Sequence, residues 1–198
     1  DVETIWTDGE SISVRVGALR RGATHAEHSL TLIQGFAKGD KCDAIVRDAT
    51  ELGATRIVIA ITKRSVVQLD ESRTDARHAR WVRIALEAAR QCGRSDVPLV
   101  ERPRPWADAL ESVDRETARF CLYERATEPL APSLFDALGR GAHLAFACGP
   151  EGGLEDAEVE QARALGWSIS SLGPRVLRTE TVAPAVLGAV RVWTALSR

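Results

Sequence analysis

Leu172-Gly173-Pro174-Arg175-Val176-Leu177-Arg178-Thr179-Glu180-Thr181 decides how this chain is read, together with Gly149-Pro150-Glu151-Gly152-Gly153 about twenty residues earlier. Each stretch follows an apolar run and precedes a helical pattern. Each also carries Gly and Pro where a backbone must turn tightly or approach a ligand closely. Either loop alone is an ordinary tight turn; two of them at one sheet edge can wall one pocket.

Outward from these loops the pattern is strand, loop, helix. His143-Leu144-Ala145-Phe146-Ala147-Cys148 is a strand that runs straight into Gly149. Leu154 to Leu165 is an amphipathic helix whose acidic first turn suits the helix dipole, and Gly166 ends it. Trp167 to Leu172 is a short strand leading into the second loop. The last helix then carries Val182, Val186, Leu187, Val190 and Trp193. Pro184 fits that helix if it starts near Thr181, so that the missing N–H falls in the first turn.

The same alternation holds upstream. Ser29 to Ile33 is a strand, Lys38-Gly39-Asp40-Lys41 turns the chain into a helix ending at Leu52, and Gly53 takes the position after the cap. Arg56-Ile57-Val58-Ile59-Ala60-Ile61 suits a strand buried on both faces. A longer helix spans Ser72 to Cys92. Turning about 100° per residue from Arg73 puts Trp81, Ile84, Ala85, Ala88 and Cys92 on one side, opposite a stripe of Arg73, Arg77, Arg80, Arg83, Arg90 and Arg94. A solvated face with pairs such as Arg83 and Glu87 accounts for much of that stripe, yet the arginine surplus suits phosphates. Pro103-Arg104-Pro105 breaks the chain, Trp106 to Val113 is a short helix, and Thr117 to Tyr123 is a strand ending in Glu124-Arg125-Ala126-Thr127. A short helix follows Pro129 and Pro132.

Repeated strand-helix units predict an α/β fold with a mainly parallel sheet flanked by helices, in which ligands bind beyond the carboxyl ends of the strands. The loops at Glu124, Gly149 and Gly173 land there together. Residues 1–28 read differently: Ser11-Ile12-Ser13-Val14-Arg15-Val16 alternates with period two, and Asp8-Gly9 is a hairpin turn signal. A lone hairpin is marginal, so residues 1–28 are expected to be the remnant of a β-rich domain, with 29–198 a second unit. With no methionine, even at position 1, the sequence is expected to begin inside a longer polypeptide.

The 198 residues, with a net charge of -2 and 44% hydrophobic content, suit a globular chain and argue against wholesale coating of nucleic acid. No apolar run approaches the roughly 20 residues of a membrane span, and no leader is spelled out, so a cytoplasmic location is expected. Cys42, Cys92, Cys121 and Cys148 form no C-x-x-C pair, and the four histidines lack ligand spacing; no metal is assigned. The glycine loops match neither the G-x-x-x-x-G-K-[ST] phosphate loop nor the G-x-G-x-x-G dinucleotide fingerprint, and G-x-S-x-G is missing. A lining of backbone groups, small residues and a few charges of both signs fits a neutral-to-cationic adenine-bearing ligand better than a triphosphate.

The two loops resemble, nearly residue for residue, the signature loops of the SPOUT class of S-adenosylmethionine-dependent RNA methyltransferases, in the branch that methylates N3 of a uridine in small-subunit 16S ribosomal RNA. Lys38-Gly39-Asp40-Lys41, Thr50-Glu51-Leu52-Gly53, Lys63-Arg64-Ser65 and Glu87-Ala88-Ala89-Arg90-Gln91-Cys92-Gly93-Arg94 match further family segments, so that the likeness runs from about Leu30 to the C-terminus. It implies a C-terminal trefoil knot, a PUA-like RNA-binding β-barrel of which residues 1–28 are the remnant, a homodimer, and 16S rRNA or the small ribosomal subunit as partner.

Within that family reading, S-adenosyl-L-methionine is expected against Leu122, Tyr123, Glu124, Gly149, Pro150, Glu151, Gly152, Gly153, Leu172, Gly173, Val176, Leu177, Arg178, Thr179 and the side chain of Thr181. Methylating a pyrimidine nitrogen requires alignment, proton removal and stabilisation of charge on the uracil oxygens. Arg178 is expected in the last role and Glu180 as base, with Glu51 in reserve. Arg64, Arg94, Arg83 and Arg90 are the expected phosphate contacts. A non-catalytic RNA-binding or ribosome-assembly module on the same scaffold is the alternative; the intact Leu177-Arg178-Thr179-Glu180-Thr181 run favours the enzyme.

Overall fold

The computed structural model describes residues 2–7, 12–16, 29–65 and 71–196. Strand β1 (Val2–Thr7) pairs antiparallel with β2 (Ile12–Val16), with Val2 opposite Val16 and a bulge between Thr4 and Trp6. The alternating run that ends at Val16 is therefore a strand, while the Asp8-Gly9 turn lies outside the described residues.

From there strand and helix alternate as β3 (Leu30–Gly35), α1 (Lys41–Glu51), β4 (Arg56–Ile61), α2 (Glu71–Gln91), β5 (Leu99–Pro105) and α3 (Trp106–Glu111). They continue as β6 (Ala118–Leu122), α4 (Leu130–Gly139), β7 (Leu144–Cys148), α5 (Asp156–Ala164), β8 (Ser168–Ser170) and α6 (Thr179–Leu196). The six strands from β3 onward form one parallel sheet in the order β5-β4-β3-β7-β6-β8. All six residues of β3 and all five of β7 are buried, as apolar runs in a doubly covered sheet should be.

Alternate side chains feed two cores. On one face Leu32, Phe36, Phe120 and Phe146 pack with α1, α2, α4 and α6; on the other Ile33, Val58 and Ala147 pack with α3 and α5. Trp81 of α2 meets Phe36 edge-on with ring centroids 5.7 Å apart, and its indole N–H donates to Asp43 at 2.9 Å. Phe120 and Phe146, directly opposite across β6 and β7, stack at 5.7 Å.

This topology places the site. The chain leaves the adjacent strands β6 and β7 toward opposite faces, into α4 and α5 respectively. Their carboxyl ends therefore diverge and leave a crevice between them, the usual ligand position in open parallel sheets.

Three local readings need correction. Pro103-Arg104-Pro105 belongs to β5 rather than breaking the chain. Among the described residues that strand pairs only with β4, and Pro103 falls where the register shifts between Glu101 and Arg104, where a missing N–H interrupts no regular ladder position. Cys92, expected on the core side of α2, is exposed, one residue past the end of that helix at Gln91. Helix α6 begins at Thr179, so Pro184 lies inside it and leaves the Glu180 carbonyl without its helical donor.

Candidate functional site

A cavity of about 510 Å³ opens at the carboxyl ends of β6 and β7. Leu122, Tyr123 and Glu124 line it from the end of β6, and Cys148 and the whole 149–153 loop from the end of β7. Ser171, Leu172, Gly173 and residues 175–180 cover it from the other side, with Lys41 and Val182. The two loops singled out from the sequence thus share one cavity.

The loops are seated by backbone contact and buried hydrogen bonds. A Cβ on Gly35, the last residue of β3, would lie 2.6 Å from the ring and nitrogen of Pro150 and 2.8 Å from the Gly149 carbonyl carbon. Only glycine lets β3 approach the loop that closely. Gln34 is fully buried, and the two N–H groups of its Nε2 are shared among the carbonyls of Gly35 (3.0 Å) and Gly149 (3.1 Å) and the hydroxyl of Thr179 (2.9 Å). The Thr179 hydroxyl donates in turn to the Gly149 carbonyl at 2.9 Å. On the far side of the loop, buried Glu158 accepts from the backbone N–H groups of Lys63 and Glu155, both at 2.8 Å. The Arg64 guanidinium donates to the Gly152 carbonyl at 2.7 Å.

An ionic cluster spans the cavity wall. Lys41 Nζ lies 3.1 Å from Glu151 and 3.2 Å from Glu180. The second contact is an ion pair off the hydrogen-bond direction, since that Glu180 oxygen has no hydrogen-bond partner of good geometry. The Lys41 ammonium is held above its ordinary range, chiefly by its hydrogen bond to Glu151. Burial pushes the Glu151 carboxyl up, but its own N–H, Lys41 and the Lys38 N–H outweigh that and hold it low. Glu180 is held low first by its own backbone N–H, then by Lys41.

The lining fits S-adenosylmethionine on three counts. The volume is in the range of small-molecule sites. The N–H groups of Val176 and Leu177 meet no acceptor among the described residues, so backbone donors are available. Glu124, Glu151 and Glu180 balance Lys41, Arg175 and Arg178, which suits a ligand carrying charges of both signs rather than a triphosphate.

Of the residues expected at the cofactor, every one lines this cavity except Thr181. Thr181 is exposed with its N–H on the Arg178 carbonyl; the hydroxyl that reaches the site is that of Thr179. Arg178 and Glu180 line the cavity, but Glu51 does not. It ends α1, about 15 Å along the axis from Lys41, because a helix that starts at the carboxyl edge of a parallel sheet finishes at the other edge. Arg94 is also corrected. Its side chain is 8% exposed, donates to the Thr50 and Ala54 carbonyls at 2.6 and 2.8 Å, and pairs with Asp96 at 2.7 Å. It locks the end of α1 instead of facing a ligand. Arg64, Arg83 and Arg90 are exposed, Arg83 lying 4.0 Å from Glu87. Elsewhere on the stripe Arg77 lies over the Phe36 ring and Arg80 is paired with Asp43. Among the described residues no group of three or more His, Cys, Asp or Glu could hold a metal ion.

Sequence reasoning passed over Gln34, Lys41 and Cys148. The first had a signal: one amide inside the otherwise apolar end of a buried strand.

Comparison with known proteins follows the same outline. Residues 24–191 match the family described as RNA methyltransferase domain. Ribosomal RNA small subunit methyltransferase E of Bacillus subtilis is 36% identical over 171 residues, which cover 84% of this chain and 67% of that protein. The protein of the same name from Mycobacterium tuberculosis is 32% identical over 83% of this chain and 63% of its own length. Among solved structures, a ribosomal RNA small subunit methyltransferase E from Neisseria gonorrhoeae bound to S-adenosyl methionine has a TM-score of 0.75 at 32% identity, covering 84% of this chain and 66% of that one. The Legionella pneumophila protein Lpg2936, in complex with SAM, has a TM-score of 0.85 at 26% identity, covering 96% and 77%. The chain spans about half to two thirds of the length of the first curated relatives it matches.

Proposed function

Because this chain belongs to the RNA methyltransferase domain family, we propose that it transfers the methyl group of S-adenosylmethionine to N3 of a uridine in 16S ribosomal RNA. The observation that carries this reading is the shared cavity: the 149–153 loop and residues 172–180, far apart in sequence, wall one space of cofactor size.

The cofactor would be held by backbone groups of Leu122, Gly149, Leu172, Val176 and Leu177. When bound, it supplies a methyl group on a positively charged sulfur. The carbon–sulfur bond breaks as the carbon–N3 bond forms, and the N3 proton leaves. Glu180, on the cavity wall, is the acceptor for that proton. Arg178, beside it on the wall, offsets negative charge on the uracil oxygens. Arg64, Arg83 and Arg90 are the exposed cations suited to RNA phosphates.

Residues 1–28 belong to an RNA-binding PUA-like domain and 29–198 to the methyltransferase domain. The C-terminal segment forms a trefoil knot, which is supported by its path: from β8 at the sheet edge, residues 171–178 return across the strand ends to start α6 at Gln34 of β3. The working form is a homodimer, supported by exposed apolar side chains beside the cavity, and its place is the cytoplasm. No described helix is long and apolar enough to cross a membrane.

Nucleoside mass mapping tests the reaction. 16S rRNA from cells lacking the gene should lose one 3-methyluridine and regain it when the gene is restored. An unchanged profile, with S-adenosylhomocysteine still bound by the protein, would leave an RNA-binding module instead.

A further inference from the structure

Gln34 is an expensive residue where it stands. It is wholly buried near the end of a strand otherwise made of Leu, Ile, Thr and Gly, and an amide there costs free energy unless each polar atom finds a partner. The backbone ladder of β3 needs no amide at this position, and its neighbours Leu32 and Ile33 fill theirs with apolar side chains. Its partners therefore identify its purpose, and two of the four, Gly149 and Thr179, lie outside the sheet.

The Gln34 Nε2 group donates across 115 residues to Gly149 and across 145 residues to Thr179. Its Oε1 accepts from the Cys148 thiol at 3.0 Å. Thr179 closes the figure by donating to the Gly149 carbonyl. One carboxamide thus holds the residue that opens the first loop and the residue that ends the second and begins α6. Both Gly149 and Thr179 line the cavity.

We propose that Gln34 is a positioning residue which sets the register of the two cofactor loops against each other, so that their backbone groups are aimed at one ligand before it arrives. The proposal rests on the cofactor reading above but makes a separate claim about preorganisation. Losing the carboxamide frees each loop to shift on its own; ordering them then has to come from the ligand, and affinity falls.

The experiment compares S-adenosylhomocysteine binding by calorimetry in Gln34→Leu, Gln34→Glu, Thr179→Val and Thr179→Ser, with thermal unfolding run on each. Gln34→Leu, Gln34→Glu and Thr179→Val are expected to fold and to bind about tenfold more weakly, the scale of one or two lost hydrogen bonds. Thr179→Ser, which keeps the hydroxyl, should bind more tightly than Thr179→Val. The double variant Gln34→Leu with Thr179→Val should be little worse than either single one, because both break one network. A residue serving stability alone would lower the unfolding temperature and leave the affinity of the folded fraction unchanged, and that result overturns the proposal. Should Gln34→Leu fail to fold, the Thr179 pair decides: equal affinities for Val and Ser overturn it. If the parent protein binds no S-adenosylhomocysteine, the cofactor reading fails instead. Amide hydrogen exchange then tests the positioning claim, which requires Thr179→Val to speed exchange at 149–153 and 176–179 together while β4 stays protected.

Discussion

Lys41, at the start of α1, and Glu180, in the first turn of α6, form an ion pair of 3.2 Å, and the same ammonium reaches Glu151 at 3.1 Å. One cation thereby ties both cofactor loops to a third element. Glu180 is held low by its own N–H and by Lys41, so removing the lysine should raise its proton affinity part of the way back toward 4.5. If Glu180 receives the N3 proton, Lys41→Met must move the acid limb of the kcat/KM profile to higher pH, and Lys41→Arg must restore it. An acid limb that stays in place in Lys41→Met, or near-full turnover by Glu180→Gln across pH with cofactor binding unchanged, removes Glu180 as the base.

The same cluster makes a separate statement about stability. Glu151 and Glu180 are lowered below 4.5, so their contribution is present above that pH and is lost as pH falls through the folded-state values. Lys41 is raised above 10.5, so its contribution is present below that pH and is lost as pH rises further. The difference in melting temperature between the parent and Lys41→Met should therefore be flat between those limits and shrink in acid. A difference that grows in acid would contradict the pairing.

The arginines should divide by what they already hold. Arg94 donates to the Thr50 carbonyl in the last turn of α1 and to the Ala54 carbonyl just beyond it and is nearly buried, so Arg94→Ala should cost about 2–3 kcal/mol by denaturant unfolding while the salt slope of RNA binding stays unchanged. Arg64 keeps guanidinium N–H groups in solvent, and Arg64→Ala should lower that slope by about one. If Arg94→Ala also lowers the slope, its side chain must leave α1 when RNA binds.

Two glycines should respond in opposite directions to alanine. At Gly35 the new methyl would meet backbone atoms of Gly149 and Pro150 that have nowhere to go. Gly35→Ala is expected to cost about 1–3 kcal/mol and to weaken S-adenosylhomocysteine binding. Gly188, inside α6, has open space at the same position, and alanine there should raise stability by up to about 1 kcal/mol. Equal unfolding temperatures for the two variants would mean that β3 is not pressed against the loop.

The alternation of strand and helix, and the pairing of the two loops, were legible because apolar runs here end abruptly at Gly and Pro. The far position of Glu51 was legible too in principle: β3 leads into α1, so the end of that helix must point away from the strand ends. Arg94 was misplaced for a different reason. A helical wheel assigned it to the arginine stripe, but it lies beyond Gln91, where the helix has stopped and the angle no longer applies. Pro103 misled because a proline in an edge strand and a proline in a loop look alike until pairing is known. Gln34 could be marked as odd from sequence, whereas its partners, Gly149 and Thr179, required the fold.

The apolar surface beside the cavity should be where two copies meet. Ala185, Ala189 and Val192 lie at i, i+4 and i+7 on one face of α6, and Val192 is 63% exposed. Next to it Phe135, also exposed, stacks on Trp193 at 5.0 Å. The groove along this face shares Leu172, Gly173 and Leu177 with the cofactor cavity, so covering the groove also braces one wall of that cavity. Sedimentation should accordingly give about twice the 21.5 kDa chain mass for the parent. Val192→Glu should give the single mass together with weaker S-adenosylhomocysteine binding, although no atom of residue 192 lines the cofactor site. A Val192→Glu protein that still sediments as a dimer would place the interface elsewhere, and a monomer with undiminished affinity would show that the cavity wall needs no partner to hold it.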